Sequence, residues 1–413
     1  MKAEIIAVGT ELLMGEILNT NAQEIARELY HLGVDVYHQS VVGDNLIRVS
    51  KELETAFERA DLVITTGGLG PTRDDITKEA AAKFLDRKMI LDNNTLESLK
   101  LFFNSRGLEV NEGNKRQAYF PEGSTIIRNN NGTAPGCMVE FENKILIILP
   151  GPPREVKPMM KEFVLPYLKK LQGKVFVSTT LNICGIGEGH MEEKIIDLVE
   201  KQTNPTIAPY AKEKGLTLRL TASGKTEEEA IKILEPVEKE IEERLGLDIF
   251  AKGETDLERV VSDMLIEKGL TLSTAESCTG GMLSSRIINY SGASKFFKEG
   301  LVTYSNESKI KTLGVQSETI EKFGAVSEQT AKEMAHRVTI VSKSDIGISV
   351  TGIAGPDGGT KEKPVGLVYI GLSINGDIKV KKINLWGNRA NIRRRTTTEA
   401  LDFLRRELIG LEL

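Results

Sequence analysis

The chain is poor in the residues that build several common kinds of site. Its 413 residues hold three cysteines, Cys137, Cys184 and Cys278, all far apart. That spacing excludes a disulfide framework and a paired-cysteine zinc knuckle, and it suits a reducing cytoplasm, the expected location. Four histidines, His31, His38, His190 and His336, form no pair at ligand spacing, which argues against a histidine zinc site. Excess positive charge is missing too: the net charge is -5, so no global field draws nucleic acid, and none is expected as a partner. No apolar run nears the roughly 18 residues of a membrane helix, so no membrane association is expected. The N-terminal MKAEIIAVGTELL carries Glu4 early and runs straight into patterned sequence, which speaks against a signal peptide. No internal repeat or low-complexity tract is visible.

What is present has the composition of a globular protein, with 40% hydrophobic and 27% charged residues. A single core rarely grows beyond roughly 250–300 residues, so at least two domains are expected. Patterning suggests three segments. Residues 1–170 alternate strand and helix: AEIIAVG, NAQEIARELYHLG, VDVYHQSVVGD, RVSKELETAFERA, DLVITTGG and, later, KILIILPGPP. That order reads as a doubly wound parallel sheet. Residues 173–250 read as a small α+β module, with TIAPYAKEKGLTLRLTASG as two strands and a turn, and AKGETD as a linker behind it. Residues 253–413 read as another α/β domain. The expected fold class is therefore two doubly wound α/β domains joined by a small α+β module.

In open parallel sheets, ligands bind outside the carboxyl ends of strands. In the first segment three such ends carry polar or glycine-rich loops: GTELLMGEILNTN, TTGGLGPTRDDIT and LPGPPREV. Glycines in the second loop allow a backbone cradle for phosphate, and Asp74 with Asp75 could hold a hydrated Mg²⁺ or similar divalent metal. Adjacent carboxylates are otherwise solvated as a rule.

In the third segment TAESCTGG stands between a strand and a helix. Ser277 is a candidate nucleophile before free helix amides that could receive a phosphate or an oxyanion. Ser277 or Thr279 as a plain helix cap explains the same residues. Cys278 has no nearby cation or histidine in sequence, so it reads as a buried small hydrophobe. A serine needs a base. His336 sits in a helical stretch and reads as surface; Lys309, in VTYSNESK with Tyr304, would serve if burial lowered its pKa, and is otherwise a solvated lysine. TGIAGPDGGT, residues 351–360, is a second glycine-rich loop at a strand end. Arg393, Arg394 and Arg395 offer a phosphate fork, or a solvated helix face.

AESCTGG, VTYSNESK and TGIAGPDGGT together resemble the C-terminal domain of the CinA family, which is similar to nicotinamide mononucleotide (NMN) deamidases. The resemblance implies amide hydrolysis of NMN to nicotinic acid mononucleotide and ammonia without a cofactor. It makes Ser277 the nucleophile, Lys309 its base, and Tyr304 and Thr351 assisting groups. Glu276, Thr279, Gly280, Gly281, Gly352 and Gly355 would line the substrate, and Arg393 or Arg394 would hold its phosphate. GTELL, GGLGPTRDD and PGPPREV resemble the family's N-terminal domain, which is similar to the molybdopterin-binding fold. There the resemblance implies metal-assisted hydrolysis of ADP-ribose. Binding would involve Glu11, Asn19, Asn21, Gly67, Gly68, Gly70, Thr72, Pro150, Gly151 and Glu155, with the metal on Asp74 and Asp75. GIGEGHMEEK resembles the family's KH-like middle module. A homodimer is expected. The alternatives are a molybdopterin-binding enzyme and a non-enzymatic interaction protein of competence or DNA repair.

Overall fold

The computed structural model describes residues 1–212 and 215–411. Internal contacts divide the chain into two compact units, Met1–Ser178 with Thr221–Leu234, and Thr179–Leu220 with Glu235–Leu413. Among the described residues no helix is long and apolar enough to cross a membrane.

The first unit holds strands β1 (Lys2–Val8), β2 (Asp35–Val42), β3 (Leu62–Thr66), β4 (Met89–Leu91), β5 (Tyr119–Pro121), β6 (Thr125–Ile127), β7 (Gly136–Phe141) and β8 (Lys144–Leu149). Six of them form one sheet in the order β2-β1-β3-β8-β7-β6, and β4 pairs with β5 apart from it. Neighbouring residues of the central strands enter different cores. Ile5, Ile64 and Ile147 belong to one cluster; Ile6, Val63, Leu146 and Ile148 belong to another. Side chains alternate across a strand, so a strand apolar at every position needs cover on both faces. Helices Thr20–His31 and Leu46–Arg59 bring buried residues to opposite clusters: Ile25 and Leu29 to the first, Val49 and Leu53 to the second. Each such aliphatic side chain contributes about 1.5–3 kcal/mol by burial.

The parallel strands β1, β3 and β8 are in register at their ends, Ala7 beside Thr66 and Thr66 beside Leu149. Three loops therefore leave the sheet at one place. The sheet is parallel only in part, since β6, β7 and β8 are antiparallel. The cause is local: Glu142 and Asn143 both take positive φ (46° and 63°) between the paired Phe141 and Lys144, a two-residue turn that can only reverse the chain.

The middle segment contributes β9 (Val175–Ile183), β10 (Thr206–Lys212), β11 (Gly215–Gly224) and β12 (Ile249–Lys252), ordered β10-β11-β9-β12. The expected turn at 213–214 lies outside the described residues. Ala251 and Lys252, read from sequence as linker, end β12 and pair with β9.

The C-terminal sheet runs β14-β13-β15-β16-β17, from β13 (Leu272–Glu276), β14 (Phe297–Val302), β15 (Ile346–Gly352), β16 (Leu367–Ile374) and β17 (Asp377–Asn384). Here too the α/β order holds on one side only. Strands β14, β13 and β15 are parallel; β16 and β17 are antiparallel, reversed by a turn at Asn375 and Gly376 with φ 49° and 86°. Strand β13 is buried at all five positions although three of its residues are polar. It delivers Glu276 and Ser277 to the middle of the sheet's carboxyl edge.

Candidate functional sites

In the C-terminal domain, Ser277 is the first residue beyond β13. Its amide donates to the Val350 carbonyl of the neighbouring β15 at 3.0 Å, which fixes the backbone there. Lys309 reaches it from beyond β14. The Lys309 side chain is 1% exposed, and its Nζ lies 3.0 Å from Ser277 Oγ, 2.9 Å from the Thr303 carbonyl and 3.3 Å from the Tyr304 carbonyl. Burial lowers the Lys309 pKa, and no carboxylate is among the causes that oppose this. Nζ donates to both carbonyls and to the serine oxygen, and once it loses a proton its lone pair can turn to the serine hydroxyl.

The thiol is no rival. Burial pushes Cys278 up to about 12, so it is protonated and a poor nucleophile near neutrality. Cys137 and Cys184 are also free and buried, with burial raising them to about 11 and about 12.

The helix that follows, Met282–Ile288, does not offer its first amides to a ligand. Glu276, fully buried, occupies them. Its Oε2 accepts from the amides of Gly281 and Leu283, each at 3.0 Å; its Oε1 accepts from the Ser284 amide at 2.8 Å and the Ser284 hydroxyl at 2.5 Å. This corrects the expected substrate contact for Glu276: the carboxylate is an internal cap. Gly281, at φ 88°, turns its amide back toward that carboxylate, and Gly280 precedes it at φ 59°. Among the described residues, the loop amides that donate to no other residue are those of Cys278, which faces its own thiol, and Thr279, immediately after Ser277. Backbone N–H groups beside a nucleophilic hydroxyl are the kind of donor that stabilises a tetrahedral oxyanion.

The arginines divide. Arg393 donates from Nε to the Cys278 carbonyl at 3.1 Å and from Nη2 to the Thr279 carbonyl at 2.7 Å, so it holds the loop whose amides are free. Arg394 donates to Asn391 and lines a different cavity with Trp386 and Cys184, away from its expected place at the phosphate. Arg389, missed from the sequence, donates to the Gly355 carbonyl at 2.7 Å and to the Tyr304 hydroxyl at 3.1 Å. It stands one turn before Arg393 on the helix Arg389–Ile409, and that i,i+4 spacing was the available signal. Tyr304 is 61% exposed. Thr351 is buried and donates to the Ala325 carbonyl at 2.6 Å, so its hydroxyl secures the β15 end. Gly352 packs where a methyl would sit 2.8 Å from the Leu367 carbonyl.

In the first unit, the three strand-end loops enclose a cavity of about 660 Å³. It is lined by Glu11, Asn19, Asn21, residues 66–72, Asp74, Asp75, Pro150, Gly151 and Glu155, together with Asp44 and Gln117, which the sequence did not suggest. Several of these side chains are engaged in building it. Asn21 is buried and donates to Thr66 Oγ1 at 3.1 Å and the Gly151 carbonyl at 2.7 Å, tying two loops together. Asn19 caps the helix Thr20–His31 by accepting from the Ala22 amide. These are framework roles where substrate contacts were expected. Thr72 donates from its amide and hydroxyl to Asp75 Oδ2 at 2.9 and 2.6 Å, closing the loop on itself over Gly70. Gln117 Nε2 donates to the Leu69 carbonyl, and its buried Oε1 has no partner among the described residues.

Gly67 sets the loop's path. At φ 104°, a methyl there would stand 2.0 Å from the Val8 carbonyl oxygen. Gly67→Ala is expected to destabilise the first unit by about 3 kcal/mol, from left-handed strain and a backbone clash. Denaturant unfolding checks it, with an unchanged midpoint as the contrary result.

Comparison with known proteins matches the three segments separately. Residues 4–170 match the family model described as a probable molybdopterin binding domain, residues 178–251 the damage-inducible protein CinA KH domain, and residues 254–408 the CinA C-terminal domain. A protein of Alkaliphilus oremlandii (strain OhILAs), named there a competence-damage inducible protein, is 59% identical over 413 residues, all of both chains. A CinA-like protein of Kosmotoga olearia is 55% identical over 411 residues, again the full length of both. Among solved structures, the competence/damage inducible protein CihA of Agrobacterium tumefaciens is 42% identical, covering 37% of this chain and 93% of its own, with a TM-score of 0.36. The chain belongs to the CinA family of competence-damage inducible proteins.

Proposed function

We propose that the chain is a bifunctional hydrolase of pyridine-nucleotide salvage, with an NMN amidase site at Ser277. The observation that carries this reading is the buried 3.0 Å contact between Lys309 Nζ and Ser277 Oγ. Lys309 takes the Ser277 proton as Oγ attacks the carboxamide carbon. The amides of Cys278 and Thr279 stabilise the oxyanion, and Lys309 returns the proton to the departing ammonia. Water then cleaves the acyl ester, giving nicotinic acid mononucleotide and regenerating Ser277. Arg389, which donates to the exposed Tyr304 hydroxyl, is the cation assigned to the substrate phosphate.

The sign of the pH dependence follows from the lowered pKa. Below it Lys309 is an ammonium and accepts no proton, so kcat/KM for NMN is expected to fall with acid and rise with pH. The limb should lie below an ordinary lysine's. Lys309→Arg keeps a cation but not a titratable base, so it should lose activity by about 10²–10⁴-fold across the whole range. Ammonia release from NMN, followed against pH for both proteins, is the test. A fully active Lys309→Arg enzyme refutes the assignment.

For the first unit the proposed reaction is hydrolysis of the ADP-ribose pyrophosphate. The donors suit Mg²⁺ arriving with substrate. Asp74 is exposed and unpartnered among the described residues, and Asp75 keeps one oxygen uncommitted. Among those residues no group of three His, Cys, Asp or Glu is disposed to hold a metal alone, whereas Mg²⁺ is commonly held by one or two carboxylates plus substrate phosphates. When bound, the ion would offset phosphate charge. The chain's own part is the glycine loop at 67–70, which lets the diphosphate approach the backbone. The family description for residues 4–170 favours a second reading, a molybdopterin ligand on the same loops. Pterin binding without ADP-ribose turnover in the presence of Mg²⁺ would select it.

A further inference from the structure

A second, larger cavity of about 1240 Å³ opens beside the loop pocket of the first unit, and the two share Thr133 and Glu155. Glu155 is a fixed wall between them. It is buried, its Oε2 accepts from Asn129 Nδ2 at 2.7 Å, and that same nitrogen donates to the Ala134 carbonyl at 2.9 Å. Gly132 leaves it no slack: a methyl there would come within 2.4 Å of the Glu155 carboxyl carbon.

Beyond this wall the cavity is cationic. Arg106, Arg128 and Arg154 line it. Among the described residues, no hydrogen bond or ion pair engages the side chain of Arg128 or Arg154. The two carboxylates on the same wall already have donors: Asp92 accepts from the Thr95 amide at 2.6 Å, and Glu155 from Asn129. Arg106 stacks on Phe102, its Cζ 3.6 Å from the ring centroid, which gives a flat cationic surface. Guanidinium planes of this kind stack on nucleobases, and free guanidinium groups bind phosphate oxygens. The room exceeds the roughly 300–1,000 Å³ typical of small-ligand pockets, so a nucleoside with its water fits.

The geometry points to this cavity as the subsite for the nucleoside half of a nucleoside-diphosphate conjugate, whose diphosphate lies across Glu155 on the 67–72 loop. The inference rests on the pyrophosphatase reading of the first unit and extends it: substrates are selected by their nucleoside end. The base lies against Arg106 on Phe102, and Arg128 with Arg154 takes the adjoining phosphate.

The experiment uses the full chain and the double variant Arg128→Ala/Arg154→Ala. Both residues are exposed, so the fold should persist. Two quantities are measured: the Kd for AMP, and the KM for ADP-ribose with Mg²⁺. Each is expected to rise about 10–100-fold in the variant, the loss of one or two hydrogen bonds to charged groups, with kcat little changed. Phe102→Ala should weaken AMP but leave ribose 5-phosphate unaffected. Wild-type protein that fails to bind AMP, or a variant with unaltered AMP affinity and KM, overturns the subsite. If the wild type binds AMP through these arginines yet leaves ADP-ribose intact, the subsite stands and the pyrophosphatase reading falls. If ADP-ribose is cleaved with the same KM by both proteins, the reading stands and the subsite falls.

Discussion

Ser277→Ala should reduce ammonia release from NMN by about 10³–10⁶-fold, the range seen when a nucleophile that acts as a unit with its base is removed. The fold should tolerate the change. Ser277 contributes one side-chain hydrogen bond, and Lys309 keeps the carbonyls of Thr303 and Tyr304 when the hydroxyl is gone. NMN should still bind, because neither Arg389 nor the free amides depend on the serine oxygen. The loss therefore belongs in kcat, with KM changed little. ADP-ribose cleavage by the same preparation, proposed for residues 1–178 of the other compact unit, is the internal control and should be unaltered. Undiminished ammonia release from Ser277→Ala would remove the serine from the reaction.

How much of this was legible in the sequence differs by element. The central strands were plain, because a run such as LVITT, buried at all five positions, has few alternatives to an interior strand. The hairpins that turn both sheets antiparallel were not read. Asn375-Gly376 carried the strong two-residue signal in plain view, whereas Glu142-Asn143 is a weaker pair that takes left-handed geometry through its place between β7 and β8. Ser277 was visible as a hydroxyl at a strand end. Lys309 as a base was not visible from composition, since a lysine is solvated by default; what buries it is the placement of the β14 end beside β13, a contact distant in sequence. The helix arginines misled for a related reason. A run of three cannot all face one site on a helix, and the neighbour that shares the Arg393 face is Arg389, four residues earlier. Polar side chains beside the loops misled most. Asn19, Asn21 and Glu276 are polar groups near a ligand loop, and each satisfies the backbone or side chains that shape the loop.

Glu276 gives the sharpest distinction between a framework and a substrate role. Glu276→Ala removes a fully buried cap from three amides, of which that of Leu283 is buried and those of Gly281 and Ser284 are partly buried, and from the Ser284 hydroxyl, which keeps Thr274. Leaving buried donors unpaired costs about 1–3 kcal/mol each at full burial, but the loop can relax, so a total of about 3–5 kcal/mol is expected. For a domain of this size that is a fall in Tm of roughly 6–20 °C. Glu276→Gln keeps the volume and one accepting oxygen, but its Nε2 must face an amide donor. It should cost about 2–3 kcal/mol, more than half the alanine effect, despite being nearly isosteric. NMN hydrolysis should fall in both variants through kcat, because the amides of Cys278 and Thr279 sit on the segment between the carboxylate and the helix it caps. Thermal unfolding and steady-state kinetics on the same samples separate the two roles. A substrate-binding carboxylate predicts an unchanged Tm and a changed KM; a cap predicts a large fall in Tm with KM nearly constant in the folded protein.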